Sequence, residues 1–334
     1  MNRFLQAIQL SEGVRTALRR YLGYPLFFLS TFLLSAYLTF PYDRVREVIE
    51  RQVTSAVPGA ELEIVSLEPA WLTGVEARGV SLRLPSATEG ERPMSVTIPR
   101  IYARAGILAF LLGTISVNFE VELDGGGRIE GSFEDQSDDE HARSRVVAEL
   151  VEVDLRRIGP LRAATRLPVT GIVSGSIDIT LDDDADQTTG SLSLDIAEAS
   201  VGDGRAGISA PGFPMTLTIQ QLELGTINIR AEIEHGTARF TQLVGNGAHA
   251  EVRGSGTIRL VRPVRNCALD LLLRVNILPA YREAHADMAG ILALAEGNEL
   301  VRPYRSADGA FQFRLQGTLG GRVIAAPAGS ASLD

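Results

Sequence analysis

The sequence predicts a mainly β protein: a single N-terminal transmembrane helix followed by an elongated, curled antiparallel β-sheet domain with a few short helices. Three observations predict it. The run LGYPLFFLSTFLLSAYLTFPY at positions 22–42 carries no charged side chain. From Ala60 onward the apolar period is two, the signature of strands with one apolar face. The chain also holds 33 Gly and 15 Pro with aromatics at only 6 %, which suits many short strands joined by turns.

A bilayer's hydrocarbon core needs roughly 20 mostly apolar residues in helical form to cross it. Residues 21–42 meet that length, with Leu22, Tyr24, Pro25, Leu26, Phe27, Phe28, Leu29, Phe32, Leu33, Leu34, Leu38 and Phe40 as the membrane-facing set. Ser30, Thr31, Ser35 and Thr39 can return their hydroxyls to carbonyls one turn back, so none need face lipid unpaired. A cleaved signal peptide would need small residues after the run, whereas here it exits into Phe40, Pro41, Tyr42, Asp43 and Arg44. We therefore expect an uncleaved signal anchor.

Charge orients it. Residues 1–20 form a short head in which Arg3, Arg15, Arg19 and Arg20 face only Glu12. Basic flanks stay in the cytoplasm, so Arg15, Arg19 and Arg20 are the expected topology determinants. The expected topology is a single crossing, with the N-terminus cytoplasmic and the bulk of the chain exported. Removing the head's net +3 from the chain's −9 leaves −12, which argues against a nucleic-acid partner, since phosphate binding needs clustered Lys and Arg.

After the span, Pro41 can open a new helix. Val45, Val48, Ile49 and Val53 recur near helical spacing across residues 43–58 until Pro58-Gly59 stops it. Residues 59–320 then read as the β-rich domain. Its clearest strands are Ile115–Leu123, Ile177–Leu181, Leu192–Ile196, Ile227–Glu234, Ala248–Leu260 and Phe311–Leu315. In the longest, Ala248, Ala250, Val252, Ile258 and Leu260 share one face with Gly254 and Gly256, and His249, Glu251, Arg253, Ser255, Thr257 and Arg259 the other. One face is wet and the other covered, as antiparallel sheets allow. Near Gly79 the inward set changes from Val75 and Ala77 to Val80, Leu82 and Leu84, which a one-residue bulge would explain. Asp154–Leu167 and Pro279–Leu294 read as helical interludes that could plug a sheet end. Residues 321–334 have the composition of a disordered tail. A weak echo, with Gly before a short apolar strand, recurs at Leu167–Leu181, Asn246–Leu260 and Gly309–Gly321 and implies a layered, elongated sheet.

No catalytic constellation stands out, and we expect no enzyme and no cofactor. Gly202, Gly204 and Gly207 match GxGxxG, but ISAPGFP follows where a phosphate-binding helix is required. The acidic run Asp182–Asp186 lacks the Gly and terminal Glu of a calcium loop and reads as a solvated hairpin tip. His141, His235, His249 and His285 have no zinc-site spacing, and the lone Cys267, in CALDLLL, reads as a small buried hydrophobe. About ten one-sided strands with two short helices leave either a second sheet or a sheet curled around an apolar groove, for which Val252, Ile258 and Leu260 are the lining candidates.

Three stretches carry a resemblance: YPLFFLSTFLLSAYLTFPYDRVREVIE (Tyr24–Glu50), LEPAWLTGVEARGVSLRL (Leu67–Leu84), with Trp71 and Gly74, and ADGAFQFRLQGTLGG (Ala307–Gly321). Together they resemble the type II secretion system protein N (GspN) family, in the longer form of some Gram-negative bacteria. The chain departs from that family at Gly320, Gly321 and Arg322, where a proline is expected. The resemblance implies an inner-membrane-anchored periplasmic accessory component of the type II secretion system, a scaffold or partner-binding module whose partners are membrane lipid and other secretion-system proteins. VDLRRIGPLRAATRLPVTGIVSGSIDIT (Val153–Thr180) is in turn similar to the helix-then-Gly-strand unit of AsmA-like proteins. That likeness implies a lipid-transfer protein with phospholipid in an apolar groove.

Overall fold

The computed structural model describes residues 19–39, 41–56, 59–71, 73–84, 94–106, 113–137, 142–158, 168–205, 207–209, 216–218, 220–261, 266–319 and 323–328. Residues 1–18 of the head, Arg15 among them, Phe40, and residues 321, 322 and 329–334 of the expected tail lie outside them.

A five-residue π turn, Arg19–Gly23, runs into helix α1, Tyr24–Thr39. Tyr21 and Leu22 of the turn and Tyr24, Leu26, Phe27, Phe28 and Phe32 of α1 are exposed. Ser30 donates to the Phe27 carbonyl at 2.9 Å and Thr39 to that of Ser35 at 2.6 Å, the expected return of hydroxyls to the backbone. Among the described residues no helix is long and apolar enough to cross a membrane. Pro41 cannot donate within a helix and instead opens the next one, accepting from the N–H groups of Arg44 and Val45. That helix, α2, spans Tyr42–Ala56.

The rest is one antiparallel meander. Strands β1 (Glu61–Ala70), β2 (Gly74–Leu84), β3 (Met94–Ala105), β4 (Ser116–Glu122), β5 (Arg128–Asp135), β6 (Arg143–Asp154), β7 (Val169–Asp182) and β8 (Thr189–Val201) pair in chain order. A small two-stranded sheet, β9 (Gly207–Ser209) with β10 (Thr216–Thr218), interrupts them. The main sheet resumes with β11 (Leu222–Glu234), β12 (Thr237–Asn246), β13 (Ala250–Arg259), β14 (Ala268–Ile277), β15 (Phe311–Thr318) and β16 (Ile324–Pro327), fourteen strands in all. β1 and β16 are its two edges and do not pair with each other, so the sheet is not closed.

Both edges are managed. Against β1, the Glu50 carboxylate accepts from the Ile64 N–H at 3.1 Å and Arg46 donates to the Val65 carbonyl at 3.4 Å, so α2 occupies backbone groups that an edge otherwise offers to another chain. Its expected apolar stripe is only partly covered, for Val48 and Ile49 remain exposed. β16 is four residues long and ends in Pro327, a short edge of limited use as a template. It also falls inside the stretch expected to be disordered, and this is a correction: Ile324–Pro327 pairs with Phe313–Gln316.

Three further expectations change. No residue is inserted near Gly79, because the registers Ile64↔Val80 and Ser66↔Arg78 on one side, and Arg78↔Arg100 and Val80↔Ile98 on the other, continue unshifted. Instead Gly79 takes φ 62°, open to a residue without Cβ, and the pleat reverses across β1, β2 and β3 together. This brings Ile64, Val80 and Ala77 into one cluster with Leu67, Ile98 and Ile101. The interlude at Asp154 is a 3-10 turn, Leu155–Arg157, capped by the Asp154 carboxylate, with 159–167 outside the described residues. The second interlude is two helices, α3 (Pro279–Ala284) and α4 (Ala286–Gly297), broken at His285.

Candidate functional site

In an antiparallel pair, residues directly opposite each other share a face, so the register locates the apolar surface. One row crosses every strand of the main sheet. It runs Pro69, Val75, Ala103, Phe119, Gly131, Ala148, Ile177 and Leu192 over the first eight strands. Ala231, Phe240, Gly256, Leu271, Leu315 and Ala325 carry it over the rest. No member is charged or polar. A second row lies beside it, with Ile101, Val121, Ile129, Leu150, Gly175, Leu194, Ile229 and Leu243 in direct succession. At about 4.8 Å per strand the first row is roughly 60 Å long.

Glycines recur on this face where neighbouring side chains close over the backbone. A Cβ on Gly131 would stand 2.7 Å from the Phe119 ring, and one on Gly254 2.7 Å from Leu273 and 2.9 Å from Leu243. Gly175 and Gly256 take φ 156° and 142° in mid-strand. Glycine kinks and bulges are what curve a sheet, and register shifts of the bulge kind occur between Leu150 and Val153 and between Phe240 and Val244. The echo noted in the sequence thus has a structural meaning: Gly-Ser-Ile at 175–177, Gly-Thr-Ile at 256–258 and Gly-Thr-Leu at 317–319 each begin on such a glycine.

The opposite face is ionic. Arg145 holds Asp178 through two bonds of 3.0 and 2.7 Å, Arg230 holds Asp195 at 2.9 and 3.0 Å, and Arg314 holds Asp270 at 2.6 and 2.5 Å. These contacts hold the three carboxyls below the ordinary carboxylate range, through Arg145 at Asp178, Arg314 at Asp270, and Asn228 ahead of Arg230 at Asp195. All the pairs are well exposed, so each adds little stability. Their effect is to keep the two faces chemically distinct.

Of the three residues expected to line a groove, Val252 and Ile258 lie on the apolar face and Leu260 one residue past the end of β13. All three are half-buried, not buried. The fully buried member of this strand is Ala250. The difference has a simple cause: among the described elements no second layer lies over most of this face, and side chains are covered only by their neighbours.

Cover exists at one rim. There α3 and α4 place Tyr281, Met288 and Leu292 against Leu222, Ile277 and Phe311. The Tyr281 hydroxyl donates to the Gln220 carbonyl at 3.0 Å, and burial pushes its pKa up. His249 was expected to be solvated on the polar face. Instead it is half-buried, accepts at Nδ1 from the Glu223 N–H, and meets the rings of Tyr281 and His285 at 5.4 and 5.9 Å. Only the fold joins these rings, since positions 249 and 285 share no periodicity. Cys267 is buried beside Val261. In the acidic run, Asp182 is buried and bound by Arg143, a departure from the expected solvated tip, while Asp183, Asp184 and Asp186 are exposed. The strand pair β9–β10 follows Gly202 and Gly204, where a phosphate site would need a helix. Among the described residues no group of three or more His, Cys, Asp or Glu is placed to hold a metal ion.

Compared with known proteins, the chain matches no family model, no curated protein and no solved structure.

Proposed function

We propose that this chain is a membrane-tethered carrier that shelters the acyl chains of lipid along its apolar face, the lipid-transfer reading to which the AsmA-like resemblance points. The observation that carries it is the uncharged row from Pro69 to Ala325. A row roughly 60 Å long with a second of about 35 Å beside it amounts to several hundred Å² of apolar surface, of the order that soluble proteins seldom leave uncovered. An acyl chain covers such a surface without asking for hydrogen bonds, and the row offers none. Tethering falls to Arg19–Thr39, where the π turn and α1 give helical backbone roughly 30 Å long, with the basic head inside.

A photo-crosslinking residue at Phe240, on the apolar row, is expected to capture phospholipid in cells. The same residue at Gln242, on the opposite face, should not. Equal capture at both, or none at Phe240, overturns the proposal.

A second reading, the secretion accessory component of the GspN resemblance, is favoured by one observation. The outer side of β16 is unpaired among the described strands, and although only four residues long it leaves room for a short strand of a partner. A crosslinker at Ala325 that captured a secretion-system protein, with no lipid at Phe240, would favour it.

A further inference from the structure

The turn between β1 and β2 holds the chain's only tryptophan. Trp71 is 81 % exposed and takes φ 60°, a left-handed conformation unusual for a bulky side chain and worth a functional hypothesis. Backbone contacts fix the strands on either side of it. A Cβ on Gly74 would meet the Ala70 carbonyl oxygen at 2.3 Å, the Thr73 carbonyl accepts from the Ala105 N–H at 3.1 Å, and the Gly106 N–H donates to the Ser116 carbonyl at 2.8 Å. Trp71 therefore stands on the same rim as Ile115, itself 54 % exposed. Arg104, also exposed, lies opposite Gly74 in the register.

The helix α2 shows which way this rim faces. Going backwards along α2 from Glu50 to Arg46 moves forwards along β1 from Ile64 to Val65, so the start of α2, where α1 ends, points toward Trp71. From Arg46 back to Pro41 is roughly 7 Å of helix, while from Val65 to Trp71 is roughly 20 Å of strand. Measured along β1, the Trp71 turn reaches on the order of 10 Å farther in that direction than the junction of the two helices.

We infer that the Trp71 turn, with Ile115 beside it and Arg104 at phosphate level, dips into the headgroup region of the bilayer that α1 enters. It forms a second membrane contact that sets the β1 end of the apolar face at the lipid surface. Tryptophan and arginine are side chains suited to that layer, an amphipathic ring beside a cation for the phosphates. The inference rests on the reading of α1 as the tether. It explains why an exposed indole is held in a strained turn: the contact is with lipid, and the strain keeps the ring pointed outward.

Because Trp71 is the sole tryptophan, the full-length protein reports on itself. Reconstituted into phosphatidylcholine/phosphatidylglycerol vesicles and recovered by flotation, it is expected to show blue-shifted emission relative to the urea-unfolded chain. Emission should be lost when the lipids carry bromine high on the acyl chain, less so with bromine near the chain end, and iodide should have little access. Protein that floats while Trp71 stays open to iodide and insensitive to bromine overturns this inference and leaves the tether standing. Protein that does not float overturns both. Quenching that persists after transfer into unbrominated vesicles places the bromolipid on the apolar face and not in the bilayer, and also overturns it.

Discussion

Gly256 of β13 lies directly opposite Leu271 of β14, and the leucine's Cδ2 stands 3.0 Å from where a Cβ on residue 256 would be. The same relationship holds between Gly175 of β7 and Leu194 of β8, again at 3.0 Å. Two distant parts of the sheet thus close over a glycine in the same manner.

Gly256→Val is expected to destabilise the protein by on the order of 3 kcal/mol, since the new side chain meets the Asp270 carbonyl oxygen at 2.2 Å and cannot adopt φ 142° without strain. Gly290→Ala, in α4 with open space around it, is expected to stabilise by about 0.5 to 1 kcal/mol. Urea denaturation followed by circular dichroism measures both. Similar losses at the two positions would show that Gly256 has no special constraint.

The two faces of β13 predict unequal mutants. Val252→Asp puts a carboxylate among Ala250, Leu224 and Val275 and is expected to cost on the order of 2 kcal/mol. Arg253→Asp, on an exposed side chain of the other face, should stay within about 0.5 kcal/mol. Equal shifts in the denaturation midpoint would contradict the assignment of faces.

The cap on β1 should be separable from the fold. Glu50→Ala leaves the Ile64 N–H without its acceptor and is expected to cost about 1 to 2 kcal/mol. Glu50→Gln keeps an amide oxygen in place and should recover most of it. With its edge uncovered, the Ala variant is also expected to self-associate, visible by light scattering. Identical behaviour of the two variants would mean that α2 does not protect this edge.

Acid should weaken the sheet from its ionic face. The carboxyls of Asp178, Asp195 and Asp270 titrate lower in the folded chain than in the unfolded one. Their contribution is therefore complete above the ordinary carboxylate pKa and is lost as pH falls through the lowered folded values. The urea midpoint is expected to be level through neutral pH and to fall below about pH 4, less steeply in Asp178→Asn. A midpoint that rises on acidification reverses the sign of the argument.

Much of this was determined by the sequence alone. Alternation of apolar and polar residues along β4, β7, β8, β11, β13 and β15 is local, because neighbouring side chains on a strand must point to opposite faces. The strands and the apolar face of β13 could therefore be read residue by residue. The proline that parts α1 from α2 and the Gly-Ser/Thr-Ile/Leu echo were legible for the same reason. Tertiary structure alone decided what depends on register between segments far apart in the chain. Only pairing aligns Phe119 with Gly131, or Ala231 with Phe240, into a row that crosses fourteen strands. The pleat reversal at Gly79 looked like an inserted residue in one strand and became a shared turn of three once their registers were known. His249, Tyr281 and His285 meet because α3 folds back onto the rim, and β16 orders because β15 offers it an edge. Such contacts join residues whose separation in sequence carries no period, and period is what a sequence displays.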